Sequence, residues 1–431
     1  MNHPHGFVAP MSHTSIPVIT TRPVTPAEFD DWAKVVGNAQ GRDHDERSLR
    51  WLRQSLPLER TRGAFDGADP VGGIAALPRQ LTLPGGQRED VAGIACAAVS
   101  PTHRRRGVFS QLVRDLFTDM YEHRREALAV LNSDQAEVYT RFGFGMAMQT
   151  AVVHGQTRFM GYRPDVELGT GRVTLVDEQV AAGVLPRVHA RARQMNVGWA
   201  ERSPTQWSTF LTDLAATRSG RTTTRFAIHW DAEGQPQGYA TYWFAERLDE
   251  RGRTVNRLLV PELVAVHRSA YAQLWRFLLD LDAADSVRAN CAPDEALQYM
   301  VQDPEALDWT IRDALAVRLV DVPRALSSRR YSAPVDVTFE VTDHLCPWNH
   351  GTFRLQADEA GAMCVRSRDE PQLSMSVQAL GAAFLGGTPL MSLALAGRVL
   401  AKVPTTLAQA SVAFRGFREP SCPSTTGWPW Y

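Results

Sequence analysis

The sequence predicts an α/β chain that runs into a terminal α+β domain, and three observations carry that reading. Its 431 residues amount to about three domains at roughly 150 residues each. After Pro101 the apolar spacing changes from alternation to a helical period, so a strand meander gives way to an amphipathic helix. The last third mixes alternating stretches with helical ones, the pattern of α+β architecture. With 44% hydrophobic and 22% charged residues, the composition is that of a folded globular protein. Lysine plus arginine (46) nearly balances aspartate plus glutamate (47). The resulting net charge of −1 supplies no field to draw the molecule onto nucleic acid or an anionic membrane, so no nucleic-acid partner is expected.

Taken in order, residues 1–21 lack a basic region followed by an apolar core and read as a loose arm rather than a signal peptide. Asp43, Asp45 and Glu46 form an acidic cluster in an early loop. Between residues 60 and 99, turns at Asp66-Gly67 and Pro84-Gly85-Gly86 separate apolar runs at 71–77 and 91–99, an antiparallel meander. Val108, Leu112, Val113, Leu116, Phe117, Met120 and Tyr121 then fall on one helical face. Residues 127–131 suit a buried strand, and Asp134 suits the N-cap of a short helix that carries Val138 and Tyr139 until Gly143 stops it.

A similar coarse pattern repeats from about residue 160. Strands are expected at 226–230, 238–244, 256–265 and 287–289, with a helix over 270–282, but no basic glycine turn separates the strand at 256 from that helix. From about residue 318 the segment 320–323 leads into strands at 335–341 and 352–355 and helical stretches at 379–385 and 390–396. The uncharged stretch 371–397 is long enough to span a bilayer, yet it holds Gln372, Gln378, Gly386, Gly387 and Pro389 and opens with alternation at Leu373, Met375 and Val377. It reads as buried core, so no membrane span is expected.

The five cysteines, Cys96, Cys291, Cys346, Cys364 and Cys422, are scattered and never spaced C-x-x-C, which excludes zinc ribbons and a disulfide framework and places the chain in a reducing cytoplasm. His344, Cys346 and His350 come nearest to metal-ligand spacing, but Pro347, Trp348, Asn349 and Gly351 among them read as a hairpin turn. No metal is expected.

The run Val99-Ser100-Pro101-Thr102-His103-Arg104-Arg105-Arg106-Gly107-Val108 lies between a strand and an amphipathic helix. A helix N-terminus offers unpaired N–H groups and partial positive charge to phosphate oxygens, and flanking arginines add charge-assisted bonds. Gly107 allows close backbone approach. Arg104, Arg105, Arg106, Gly107, Val108 and Phe109 resemble the acyl-CoA signature of the GCN5-related N-acetyltransferases, in which Arg or Gln, two residues, Gly, one residue and then Gly or Ala cradle the CoA pyrophosphate. Phe109 stands where that signature has a small residue. The resemblance implies acetyl-CoA as co-substrate, held by Arg104, Arg105, Arg106, Gly107, Val108, Phe109, Ser110 and Gln111, by backbone groups of Ala98, Val99 and Ser100, and by Asp134 and Gln135. It also implies that Tyr139 faces the CoA sulfur as general acid. A phenol, ordinarily near ~10, keeps its proton where a thiol near ~8.5 would lose it. No Ser or Cys nucleophile with an adjacent base accompanies the run, so transfer to the amine is expected to be direct.

Together with residues 139–145, 318–323 and 380–387, the run is similar to the Eis-type N-acetyltransferases over nearly the whole chain. That likeness implies two tandem GNAT-like domains followed by a sterol-carrier-protein-like domain. The boundaries expected are 18–158 (active), 159–317 (inactive) and 318–431. It implies a homohexamer, and as activity the acetylation of amines of an aminoglycoside-like molecule or another small-molecule amine, or of protein lysines. It gives the terminal carboxylate, here that of Tyr431 behind Trp428 and Trp430, the part of general base. The alternative is a lipid-binding or scaffold protein whose first domain is a vestige.

Overall fold

The computed structural model describes residues 19–132, 136–213, 218, 220–248 and 252–423. The chain divides into two compact units, Met1–Ala75 with Cys96–Leu116, and Ala76–Ala95 with Phe117–Tyr431.

The early chain forms β1 (Ile19–Arg22), α1 (Phe29–Ala39), α2 (Glu46–Ser55), β2 (Thr61–Asp66), β3 (Asp69–Thr82), β4 (Arg88–Val99) and α3 (Val108–Glu122). The meander forms as expected where β2 runs antiparallel to β3, with Gly67 in the turn at φ 64°; β1 takes in residues 19–21 of the stretch read as a loose arm and pairs antiparallel with β2. The first two helices are additions to the sequence reading. In α1, Phe29, Trp32, Ala33 and Val36 are buried at helical spacing, and the Trp32 indole lies where a Cβ on Gly73 would come within 2.1 Å of its Nε1. Asp45 caps α2, its carboxylate accepting the Ser48 N–H at 2.8 Å, so this acid starts a helix rather than lying in a loop. The α3 stripe expected from the sequence is buried from Val108 to Met120.

The chain continues through β5 (Leu128–Leu131), α4 (Ala136–Thr140), β6 (Gly145–Gln156), β7 (Arg172–Val176), α5 (Glu178–Arg193), α6 (Pro204–Leu211), β8 (Arg225–Trp230), β9 (Pro236–Leu248), β10 (Thr254–Ala265), α7 (Arg268–Leu279), β11 (Ser286–Cys291), α8 (Leu297–Met300) and β12 (Asp308–Leu319). Within the second unit the sheet order from β5 onward is β5-β12-β6-β11-β10-β9-β8-β7. Strands β6 and β12 exchange places: β12, late in the sequence, pairs with β5, whereas β6 pairs with β11. Each completes a sheet begun by a distant segment. Deep in the central region Arg202 forms a two-pronged bond with Glu262, at 2.9 Å from Nη1 to Oε1, and the Tyr239 hydroxyl donates to the same carboxylate at 2.5 Å. All three are buried. Removing one partner of such a pair costs about 3–5 kcal/mol, so the triad is structural. Strand β10 passes into α7 through Val266 and His267, with no phosphate turn.

The last third forms α9 (Val322–Ser327), β13 (Val335–Thr342), β14 (Gly351–Ala357), β15 (Ala362–Arg366), β16 (Leu373–Ser376), α10 (Val377–Ala383), α11 (Leu390–Leu395), β17 (Val399–Ala401) and α12 (Pro404–Phe414). Its sheet order is β15-β14-β13-β16-β17. The hairpin expected around Pro347 joins β13 to β14 antiparallel, and the stretch read as buried core becomes β16, α10 and α11. Cys346 is buried, and its N–H donates to Asp343. Among the described residues no group of three or more His, Cys, Asp or Glu is placed to hold a metal ion, and no helix is long and apolar enough to cross a membrane. The buried Arg329 donates to the carbonyls of Phe384 and Phe414, which end α10 and α12, so a cation meets the negative ends of two helices.

Candidate active site

In the first unit, β4 carries at Cys96 a non-glycine residue at φ 51°. Burial pushes its thiol up to about 12, so it is no thiolate near neutral pH. Beyond the strand, the Thr102 hydroxyl and His103 Nδ1 lie 2.8 Å apart, and His103 Nε2 lies 3.2 Å from Asp66. Arg104, Arg105 and Arg106 are all exposed, but Arg104 bonds back onto the protein: its Nε donates to the Val99 carbonyl at 3.3 Å and its Nη2 to the Ala39 carbonyl at 3.1 Å. Arg105 at φ 62° and Gly107 at φ 80° are left-handed on either side of Arg106. This conformation costs an ordinary residue roughly 1–2 kcal/mol, and it presents the turn backbone outward. A Cβ on Gly107 would meet nothing within 4 Å, so the space over the turn is open.

Helix α3 begins at once, with Val108 buried, Phe109 and Ser110 half-buried and Gln111 exposed. The Gln111 N–H donates to the Gly107 carbonyl at 3.1 Å, and its side chain donates to Thr21 at 3.2 Å. The turn therefore joins exposed guanidiniums, of which that of Arg104 bonds back to the protein, with an open backbone and a helix N-terminus, the donor set that fits a pyrophosphate. Of the preceding residues, Ser100 has already given its N–H to the Val71 carbonyl at 2.8 Å. The sequence assigned all three arginines alike. That Arg104 clamps the strand end to α1 follows only once α1 exists, which the sequence reading missed.

In the second unit, β4 and β5 run parallel and pair, among the described residues, at Ala92 with Ala129 and Gly93 with Val130. Tyr139 sits on the short α4. Its carbonyl accepts the Phe142 N–H at 3.0 Å, Gly143 turns the chain at φ 85°, and the Phe144 ring meets the Tyr139 ring edge-on with centroids 6.1 Å apart. Burial raises the Tyr139 phenol above its ordinary value, so it holds its proton across the neutral range. Asp134, Gln135 and the terminal residues Trp428, Trp430 and Tyr431 lie outside the described residues.

A strand, an arginine-glycine turn, a helix and a half-buried tyrosine that keeps its proton, in this order, define an acyl-CoA-dependent N-acetyltransferase of the GNAT class, whose members use acetyl-CoA. Family models agree. An acetyltransferase (GNAT) domain matches residues 20–147, a second one 198–319, and a sterol carrier protein domain 322–423. An uncharacterized N-acetyltransferase of Streptomyces avermitilis is 36% identical over 92% of this chain and 97% of its own length. N-acetyltransferase Eis of Mycobacterium tuberculosis is 30% identical over 82% of this chain and 85% of its own. The crystal structure of Eis1 from Mycobacterium abscessus superposes with a TM-score of 0.82 at 29% identity, covering 94% of this chain and 99% of that one. The chain belongs to the Eis-type N-acetyltransferases.

Proposed function

We propose that the first GNAT domain transfers acetyl from acetyl-CoA directly to an amine of a small molecule, aminoglycoside-like or another amine. The observation that carries this reading is the turn at Arg105–Gly107 opening α3. In it Arg105, Arg106, the backbone from Gly107 to Ser110 and Gln111 hold the pyrophosphate, Arg104 keeps the turn in place, Ala98 and Val99 offer strand backbone to the cofactor, and Asp134 and Gln135 complete the contacts. Tyr139 donates its proton to the departing CoA thiolate as the amine attacks the thioester. The high thiol value of the buried Cys96 supports a route without an acyl-enzyme. Asp43 and Glu46 are exposed and are the acids left to meet a polycationic acceptor once Asp45 is spent on its helix. The same reading takes domain boundaries at 18–158, 159–317 and 318–431, a homohexamer, and a cytoplasmic setting that suits five buried cysteines outside any disulfide.

A mass-spectrometric screen of acetyl-CoA against diverse amines, aminoglycosides included, tests the reading and names the acceptor. Acetylated product is expected; copurified lipid without product supports the lipid-binding alternative instead. One cavity in the last domain, lined by Val337, Phe339, Met375 and Phe414, holds about 10 Å³, the room of one water molecule, and gives the lipid-binding alternative no support.

The amine proton needs an acceptor, and the proposal gives this part to the Tyr431 carboxylate or to a water it holds. A carboxylate near ~3.5 is a weak base toward an ammonium, so burial or an amine of lowered pKa has to assist it. A short extension after Tyr431 moves the carboxylate and leaves the aromatic residues in place. Turnover is then expected to fall by roughly 10²-fold, the share of a general base, and full turnover with the same pH profile removes Tyr431 from the mechanism.

A further inference from the structure

The contacts beneath the tyrosine turn come from the end of β12 and from the carrier-like domain that follows it. Arg318, near the end of β12, is 0% exposed; its Nη2 donates to Asp343 Oδ2 at 2.6 Å and its Nη1 to the Leu319 carbonyl at 2.9 Å. Asp343 also accepts the Leu345 and Cys346 N–H groups and Asn349 Nδ2, each at 3.1 Å. A pair so enclosed is fixed in place, since any shift leaves a charge unpaired in a dry interior.

The guanidinium of Arg318 lies directly against the turn. A Cβ on Gly143 would stand 2.9 Å from Arg318 Nε and 2.9 Å from Val377 of α10. The same guanidinium lies 5.6 Å from the Phe117 ring centroid, Phe117 packs on Phe144 at 6.0 Å, and Phe144 abuts Tyr139. Helix α10 meets the strands backbone to backbone. A Cβ on Gly145 would fall 2.1 Å from the Gln378 carbonyl oxygen, and one on Gly381 2.4 Å from the Val317 carbonyl oxygen. Only glycine fits at these two places.

We propose that the carrier-like domain is the template that sets the Tyr139 ring, with Arg318, held by Asp343, as a positioning residue for acetyl transfer and the Gly145–Gly381 approach as its second fixed point. The inference rests on the reading of Tyr139 as general acid. A helix of five residues is too short to hold its own geometry, so the aim of its phenol is supplied from below. The domain then contributes to turnover without touching substrate, and the segments 318–323 and 380–387 acquire a role in catalysis.

The test uses the full chain with acetyl-CoA and the amine found by the screen. Asp343→Asn is expected to lower kcat by about 10-fold or more, the scale of a sub-ångström to ångström misplacement, with acetyl-CoA Kd unchanged by calorimetry. In a Tyr139→Phe background the same substitution is expected to lower kcat by no more than about 2-fold, because the group being positioned is gone. If Asp343→Asn does not fold, Val377→Ala, which opens space beside Gly143, decides by the same two comparisons. An equal loss in both backgrounds, or wild-type kcat in a folded variant, overturns the positioning role while leaving Tyr139 as acid. Unchanged kcat for Tyr139→Phe alone overturns both.

Discussion

Replacing Arg105 and Gly107 together by Glu is expected to abolish acetyl-CoA binding, with a flat calorimetric titration at concentrations that saturate the unmutated chain. Two costs combine. Arg105 is exposed and left-handed at φ 62°, so its guanidinium projects from the turn, and a carboxylate there turns attraction for the pyrophosphate into repulsion. Gly107 is left-handed at φ 80° with open space above it, so Glu there adds backbone strain of about 1–2 kcal/mol and a second like charge. Neither side chain packs in a core, and the melting temperature is expected to move little. An unchanged Kd for acetyl-CoA would show that the cofactor is held elsewhere. Arg104→Glu acts differently: it releases the Val99 and Ala39 carbonyls and loosens the fold as well as the site.

Tyr139→Phe is expected to cut kcat by about 10²-fold or more, the contribution of a positioned general acid, while leaving the affinity for acetyl-CoA as it is. The ring, its edge contact with Phe144 and its burial survive the substitution; only the transferable proton goes. The pH dependence has a definite sign. Burial raises the Tyr139 phenol, so the protonated acid is present throughout the neutral range and is lost only as pH climbs beyond the ordinary tyrosine value of about 10. No alkaline fall in kcat from this group is expected below that pH. A Tyr139→Phe chain with wild-type kcat leaves leaving-group protonation to water, and an acetylated Cys96 on the unmutated chain contradicts direct transfer.

Much of this architecture was legible because its signals are local. The change from alternation to helical spacing after Pro101 places β4 and α3, since the two periods depend only on backbone geometry. Gly107 and Gly143 both adopt positive φ, as turns that end a loop or a short helix require of glycine. The helix α1 was also written in its pattern of Phe29, Trp32, Ala33 and Val36, framed by Pro26 and Gly41, although the sequence reading passed over it. Strands β6 and β12 were less accessible.

By itself, the sequence determined the tandem order of strand, basic turn, helix and tyrosine, the missing phosphate turn of the central domain, and the α+β character of the last third, since each is set by residues a few positions apart. Tertiary structure alone decided that β12 pairs with β5 while β6 pairs with β11, that Arg104, exposed like Arg105 and Arg106, binds the end of α1, and that Arg318 finds Asp343 beneath Gly143. These outcomes join residues far apart in the chain, and spacing carries no information about which distant partner wins. The choice is made by burial. A charge such as Arg318 enters a dry interior only where a carboxylate and a carbonyl already wait to pair with it, and a glycine such as Gly381 shows its purpose only when another backbone lies 2.4 Å from the Cβ it lacks.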